Sequence, residues 1–223
     1  MNLPNKITCV RLALVPVFVF FYLASFIPYG KLIAALVFAL ACFTDFLDGK
    51  IARSRGLVTN LGKFLDTIAD KVLVMAGLIC IIAVPVEAKA GVSEAYPILA
   101  PQYIAVTATI IILAREFIIS AFRQIAATKN VVLAADMYGK VKAVFQFITL
   151  IFYLVYAFVV ETFADGISAG NLVFAGESLN AWQIANTVMG LFGYLMLAIT
   201  VVMTIVSAIK YVTNNIKVLK DTK

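Results

Sequence analysis

A chain of 223 residues that is 63% hydrophobic and 13% charged, with a mean hydropathy of +1.02, has too little polar surface for a water-soluble domain. It reads as an integral membrane protein, and its net charge of +6 needs no nucleic-acid partner, because basic residues at a bilayer surface attract anionic headgroups and no nucleic-acid-binding module is visible. The absence of histidine removes the usual zinc ligand and the usual base at neutral pH, so acid–base work falls to carboxylates or another side chain, and any metal should be a hard, oxygen-liking ion.

In chain order, Asn2-Leu3-Pro4-Asn5-Lys6-Ile7-Thr8 offers capping asparagines and a first-turn proline, and is expected as a segment lying along the interface. Val10 to Ile27 is apolar apart from Arg11 and predicts a retained first spanning helix, since Tyr22 is too bulky for a cleavage site at Ala24. After the turn Pro28-Tyr29-Gly30-Lys31, a second span runs from Leu32 to Ala52 with Asp45 and Asp48 in its last two turns. Arg53 to Leu61 is a basic loop, and a third span, about Gly62 to Val84, opens with Asp66 and Asp70. A loop from Pro85 to Gln102 precedes the fourth span, Tyr103 to Ala127, which carries Arg115, Glu116 and Arg123. A fifth span is expected from Gly139 to Val160 and, after a Gly/Asn-containing loop, a sixth from Ile184 to Ala208.

The expected fold is therefore all-α, with six transmembrane helices in a single domain covering residues 1–223, since no linker or low-complexity tract divides the chain. Cys9, Cys42 and Cys80 lack metal-ligand spacing and read as small core residues. One end of the bundle collects Lys6, Arg11, Arg53, Arg55, Lys63, Lys129, Lys140, Lys142, Lys210, Lys217, Lys220 and Lys223, against Lys31 and Lys89 at the other. The positive-inside rule then puts both termini and the acidic helix ends in the cytoplasm.

The chemistry concentrates between Asp45 and Asp70. Residues three and four apart share a helix face, so Asp45, Asp48, Gly49 and Ala52 form one strip, and Gly62, Asp66 and Asp70 another. Four carboxylates beside hydrocarbon repel one another and are tolerable only with compensating cations or water-filled space, which points to Mg²⁺ or Mn²⁺. The plainer alternative is a set of solvated helix-end charges paired with Lys50, Arg53, Lys63 and Lys71.

The run Asp45-x2-Asp48-Gly49-x2-Ala52-Arg53-x8-Gly62-x3-Asp66-x3-Asp70 resembles the full signature of the CDP-alcohol phosphotransferase family. The resemblance implies six membrane helices, a homodimer, and a site open to the cytoplasm in which an alcohol hydroxyl attacks the lipid-linked phosphate of a CDP-lipid and expels CMP. It implies that Asp45, Asp48, Asp66 and Asp70 hold one or two Mg²⁺ or Mn²⁺ ions, two being the expectation per active site, and that Asp70 is also the base. Asp48, Gly49, Ala52, Arg53 and Gly62 would border the CDP-lipid. Asn5-Lys6-Ile7-Thr8 with Arg11, Asp66 to Lys71, Arg115 to Ser120 with Arg123, and Gly139 to Lys142 resemble the branch that joins glycerol 3-phosphate to CDP-diacylglycerol, the phosphatidylglycerolphosphate synthases. That makes a bacterial plasma membrane the expected location.

Arg115, Arg123, Lys140 and Lys142 flank one loop and form a candidate pocket for the acceptor's phosphate, with snorkelling to headgroups as the alternative for the last three. Arg115 lies near the middle of its span, where a lone cation needs a partner or a function, although neighbouring Glu116 points about 100° away around the helix. Within the family, an inositol-phosphate, serine or phosphatidylglycerol acceptor is the nearest alternative. From another class, a divalent-cation transporter would also need intramembrane carboxylates, but no broken midplane helix or inverted repeat accompanies these.

Overall fold

The computed structural model describes the backbone of residues 3–54, 60–83, 101–128, 137–163, 172–174, 177–179 and 181–215, and side chains at 5–45, 62, 64–83, 103–127, 137–162 and 184–215. Among these residues there are six helices: α1 (Leu3–Leu23), α2 (Gly30–Ser54), α3 (Asn60–Ala83), α4 (Pro101–Thr128), α5 (Met137–Phe163) and α6 (Ala181–Asn215). Two short strands, β1 (Leu172–Phe174) and β2 (Glu177–Leu179), pair antiparallel with Leu172 opposite Leu179. Among the described residues, four stretches are long and apolar enough to cross a bilayer: Asn5–Leu23, Tyr103–Ala127, Met137–Thr162 and Ile184–Asn215. Large apolar side chains such as Phe20, Leu36, Ile110 and Leu191 lie on the outside, as expected where the surroundings are lipid.

Three expectations are corrected. The N-terminal segment is not a separate interfacial piece: its described residues are the first turns of α1, with Pro4 at the second helical position. The reason is visible on the buried face of α1, where Asn5, Thr8, Arg11, Val15, Phe18 and Tyr22 follow one another at steps of three and four residues. The polar half of that stripe needs the same helix axis as the apolar half to reach α2 and α3. The connection before α6 contains the β1–β2 ribbon rather than loop alone. Finally, α6 continues beyond Ala208 to Asn215, because Ser207 and Tyr211 are buried and prolong the stripe begun by Leu197, Thr200 and Thr204.

The helices pack α1 on α2 and α3, α5 on α2 and α6, and α4 on α6 and α3. Small residues Ala34, Ala35 and Ala41 give α2 a face that a neighbour can approach closely. At the centre Phe38 is fully buried, 5.3 Å from Phe18 and 6.5 Å from Phe147 between ring centroids, so it joins α1, α2 and α5. Polar side chains tie α5 to α6: the Thr149 and Thr200 hydroxyls are 2.8 Å apart, and Tyr156 donates to Asn186 Oδ1 at 2.8 Å. Such bonds hold helices together where lipid supplies no hydrophobic drive between them. At the end remote from the acids, Lys31 at the start of α2 lies 3.7 Å from Glu161 near the end of α5.

A Cβ on Gly77 of α3 would meet Phe38 Cε2 at 3.0 Å and Leu150 Cδ2 at 3.3 Å, and both neighbours are fully buried. Gly77→Val is therefore expected to destabilise the bundle by about 1–3 kcal/mol through overpacking. Thermal unfolding in detergent should show a midpoint several degrees lower, and an unchanged midpoint would contradict this packing.

Candidate active site

Three helices build the acidic wall. The last apolar turns of α2 deliver Asp45, and the opening turns of α3 deliver Asp66 and Asp70 on one face. A carboxylate oxygen from each lies within 4.8 Å of the other two. The third helix contributes a cation that sequence reasoning left without a role. Arg11 of α1 is fully buried, and its Nη1 lies 2.7 Å from Asp45 Oδ1, 2.9 Å from Asp70 Oδ1 and 3.4 Å from Asp66 Oδ1. The carboxylates are partly open, with 33%, 48% and 47% of the side-chain surface of Asp45, Asp66 and Asp70 exposed. Arg11 thus closes the triad from the protein side and leaves its other side accessible.

A second charged group is assembled by α4, α5 and α6. Arg115 Nη1 donates to Glu116 Oε1 at 3.2 Å and its Nη2 to Ser207 Oγ at 2.6 Å. Lys142 is 1% exposed and donates to the same Glu116 oxygen. Arg115 therefore does reach its neighbour, despite the angle between adjacent positions, because its long side chain can fold back toward the carboxylate that Lys142 approaches from α5. About two turns further along α4, Arg123 donates to the Tyr211 hydroxyl at 3.2 Å and lies over that ring, 5.4 Å from its centroid. Burial and a carboxylate partner set Lys142 apart from a lysine snorkelling to headgroups.

Both groups face one cavity of about 290 Å³, whose wall includes Asp45, Asp70, Lys71, Arg115, Glu116, Arg123, Lys140 and Lys142. Asp45 and Asp70 are thus brought onto one surface with the four candidate phosphate-binding cations, which lie 70 to 97 residues from Asp45 in sequence. Asp66 belongs to the triad without lining this cavity. Gly62 lies in the first turn of α3, one turn before Asp66. Asp48, Gly49, Ala52 and Arg53 continue the helical backbone of α2, and their side chains lie outside the described ones, as do those of Lys50 and Lys63. Besides Arg11, two contributors escaped sequence reasoning as site residues. Glu116 was legible as a charge but not as the shared partner of two cations. Gln146 lines the cavity while buried, with its amide nitrogen unpartnered among the described residues.

A family model for CDP-alcohol phosphatidyltransferase matches residues 1–216. The chain belongs to that family. Among similar proteins, the CDP-diacylglycerol–glycerol-3-phosphate 3-phosphatidyltransferase of Bacillus subtilis is 39% identical over 160 residues, covering 67% of this chain and 74% of the relative. The protein of that name from Rickettsia bellii is 38% identical over 150 residues, covering 67% and 72%. Its namesake from Pectobacterium atrosepticum is 35% identical over 187 residues, covering 82% and 91%. These are phosphatidyltransferases, so the match favours an enzyme over a cation transporter. The donor set of this phosphatidyltransferase-family chain also suits a hard divalent ion: three carboxylates with convergent oxygens.

Glu116 is the hinge of the cationic group, which yields a prediction. Removing its charge by Glu116→Gln leaves buried Lys142 without its ionic partner, at an expected cost of about 3 kcal/mol. Adding Lys142→Met to Glu116→Gln should recover part of that loss, measured as a thermal double-mutant cycle in detergent. Strict additivity of the two losses would contradict the coupling.

Proposed function

We propose that this chain transfers the phosphatidyl group of CDP-diacylglycerol to glycerol 3-phosphate, giving phosphatidylglycerophosphate and CMP. The observation that carries this reading is one cavity whose lining brings the carboxylates Asp45 and Asp70 together with the cations Arg115, Arg123, Lys140 and Lys142, alongside Lys71 and Glu116. A reaction between a diphosphate-bearing lipid and a phosphate-bearing alcohol needs both. Asp45, Asp48, Asp66 and Asp70 would hold one or two Mg²⁺ or Mn²⁺ ions, which when bound neutralise the diphosphate and assist the departure of CMP. Asp70 takes the proton from the acceptor hydroxyl as that oxygen bonds to the lipid-side phosphorus and the bond from this phosphorus to the CMP oxygen breaks. Gly49, Ala52 and Gly62 leave room beside the nucleotide, and Arg53 is available to its phosphate.

In this reading the cationic wall grips the acceptor's phosphate. Lys142 and Arg115 are already engaged with Glu116, so they hold a preformed field, while the more exposed Arg123 and Lys140 make the entering contacts. The membrane arrangement belongs to the same proposal. At 25 and 24 residues, α2 and α3 are about 38 and about 36 Å long at 1.5 Å per residue, enough for a hydrocarbon core of roughly 30 Å. All six helices then span, with both termini and the site at the cytoplasmic face of a bacterial plasma membrane and lipid around a homodimer. The basic residues gathered at that end support the orientation.

Two measurements test the reading. EDTA should abolish CMP release and Mg²⁺ or Mn²⁺ should restore it; full turnover by a rigorously metal-free preparation would remove the metal from the account. Steady-state kinetics should show Arg123→Gln and Lys140→Gln raising the glycerol 3-phosphate KM by about tenfold or more, with little change for CDP-diacylglycerol. Equal shifts in both KM values would move these cations to the nucleotide side, and no shift would empty the proposed phosphate pocket.

A further inference from the structure

The guanidinium of Arg11 occupies the position between the three carboxylates where a cation does most to relieve their repulsion. One nitrogen, with only two hydrogens, is shared among three acceptor residues on two helices; it acts there as a charge more than as a directional donor. The residue is fully buried, so it cannot lie there simply as a surface side chain seeking any acid. It is also held from a helix that packs on both acid-bearing helices, so the charge is delivered by the core of the fold. A Mg²⁺ ion taking the same three Oδ1 atoms would need them at about 2.0–2.1 Å, and those are the atoms already engaged by a nitrogen 2.7–3.4 Å from each.

We propose that Arg11 is a resident counter-cation of the carboxylate triad: it holds Asp45, Asp66 and Asp70 together when no metal is bound, and it must leave its contacts for a divalent ion to take them. Arg11 is then a positioning residue that competes with the metal. It keeps three like charges converged and the ends of α1, α2 and α3 assembled, and it lowers metal affinity as the consequence. The inference rests on the metal-dependent reading above and predicts the opposite sign to a plain structural role. Losing an ordinary supporting arginine would splay the acids and weaken metal binding, whereas losing a competitor strengthens it.

The experiment is Mn²⁺ titration of the purified full chain in detergent near neutral pH, with free Mn²⁺ followed by electron paramagnetic resonance and thermal midpoints recorded with and without the ion. Arg11→Gln should bind Mn²⁺ about tenfold more tightly than the wild type or better. Its metal-free midpoint should fall by several degrees and recover on adding Mn²⁺, a larger metal-induced rise than in the wild type. Should Arg11→Gln not remain monodisperse, Arg11→Lys decides, because it keeps the charge but loses the planar fork; its Mn²⁺ affinity should lie above that of the wild type. Unchanged or weaker binding in the folded variant, with normal binding by the wild type, overturns the role of Arg11 alone. No Mn²⁺ binding by the wild type overturns the metal reading, and the competition with it.

Discussion

Charge placed inside a bundle built for lipid has to be neutralised from within the bundle. Water is scarce there, an isolated ion is costly, and several like charges repel each other at close range. Two groups meet this constraint in different ways. The acids of α2 and α3 are gathered around Arg11 from α1, and the cations of α4 and α5 are gathered around Glu116. In each group one residue of the minority sign sits at the centre, and members of both groups line one cavity.

The packing follows from those two centres. The buried stripe of α1 is polar from Asn5 to Arg11 and apolar from Val15 to Tyr22, so one end of the helix meets the acids and the other meets the Phe38 cluster. Along α6, Leu197, Thr200, Thr204, Ser207 and Tyr211 form a single buried face: Thr200 meets α5, Ser207 meets Arg115 and Tyr211 meets Arg123. The apolar core thereby fixes the distance between an acidic and a basic wall contributed by distant parts of the chain. A cavity lined by both carboxylates and cations suits the two phosphate-bearing substrates of the proposed reading, one approaching the acids through cations and the other held by basic side chains.

Much of this is legible in the amino-acid sequence because its physics is local. Helix positions follow from apolar run lengths, and the face shared by Asp66 and Asp70 follows from a spacing of four. The spacing from Asp45 to Asp70 carries the family resemblance, and the match over residues 1–216 establishes the family. What was hidden depends on partners far apart in sequence. Arg11 looks like one interruption in an apolar run until α1 is laid against α2 and α3, although the steps Asn5, Thr8, Arg11 are the signal that could have revealed a polar stripe. Arg115 and Glu116 look divergent as neighbours on one helix, and only Lys142 arriving from α5 gives them a common focus. The ribbon at Leu172–Leu179 had no alternation strong enough to stand out.

The central claim is that the basic wall exists to hold a phosphate on the acceptor while the acids serve the CDP-lipid. The direct measurement is to give the purified protein CDP-diacylglycerol with glycerol 3-phosphate, glycerol, serine or inositol phosphate in turn, following CMP release and identifying the lipid formed. The account predicts phosphatidylglycerophosphate from glycerol 3-phosphate and little product from the uncharged glycerol. Equal use of glycerol and glycerol 3-phosphate would contradict it.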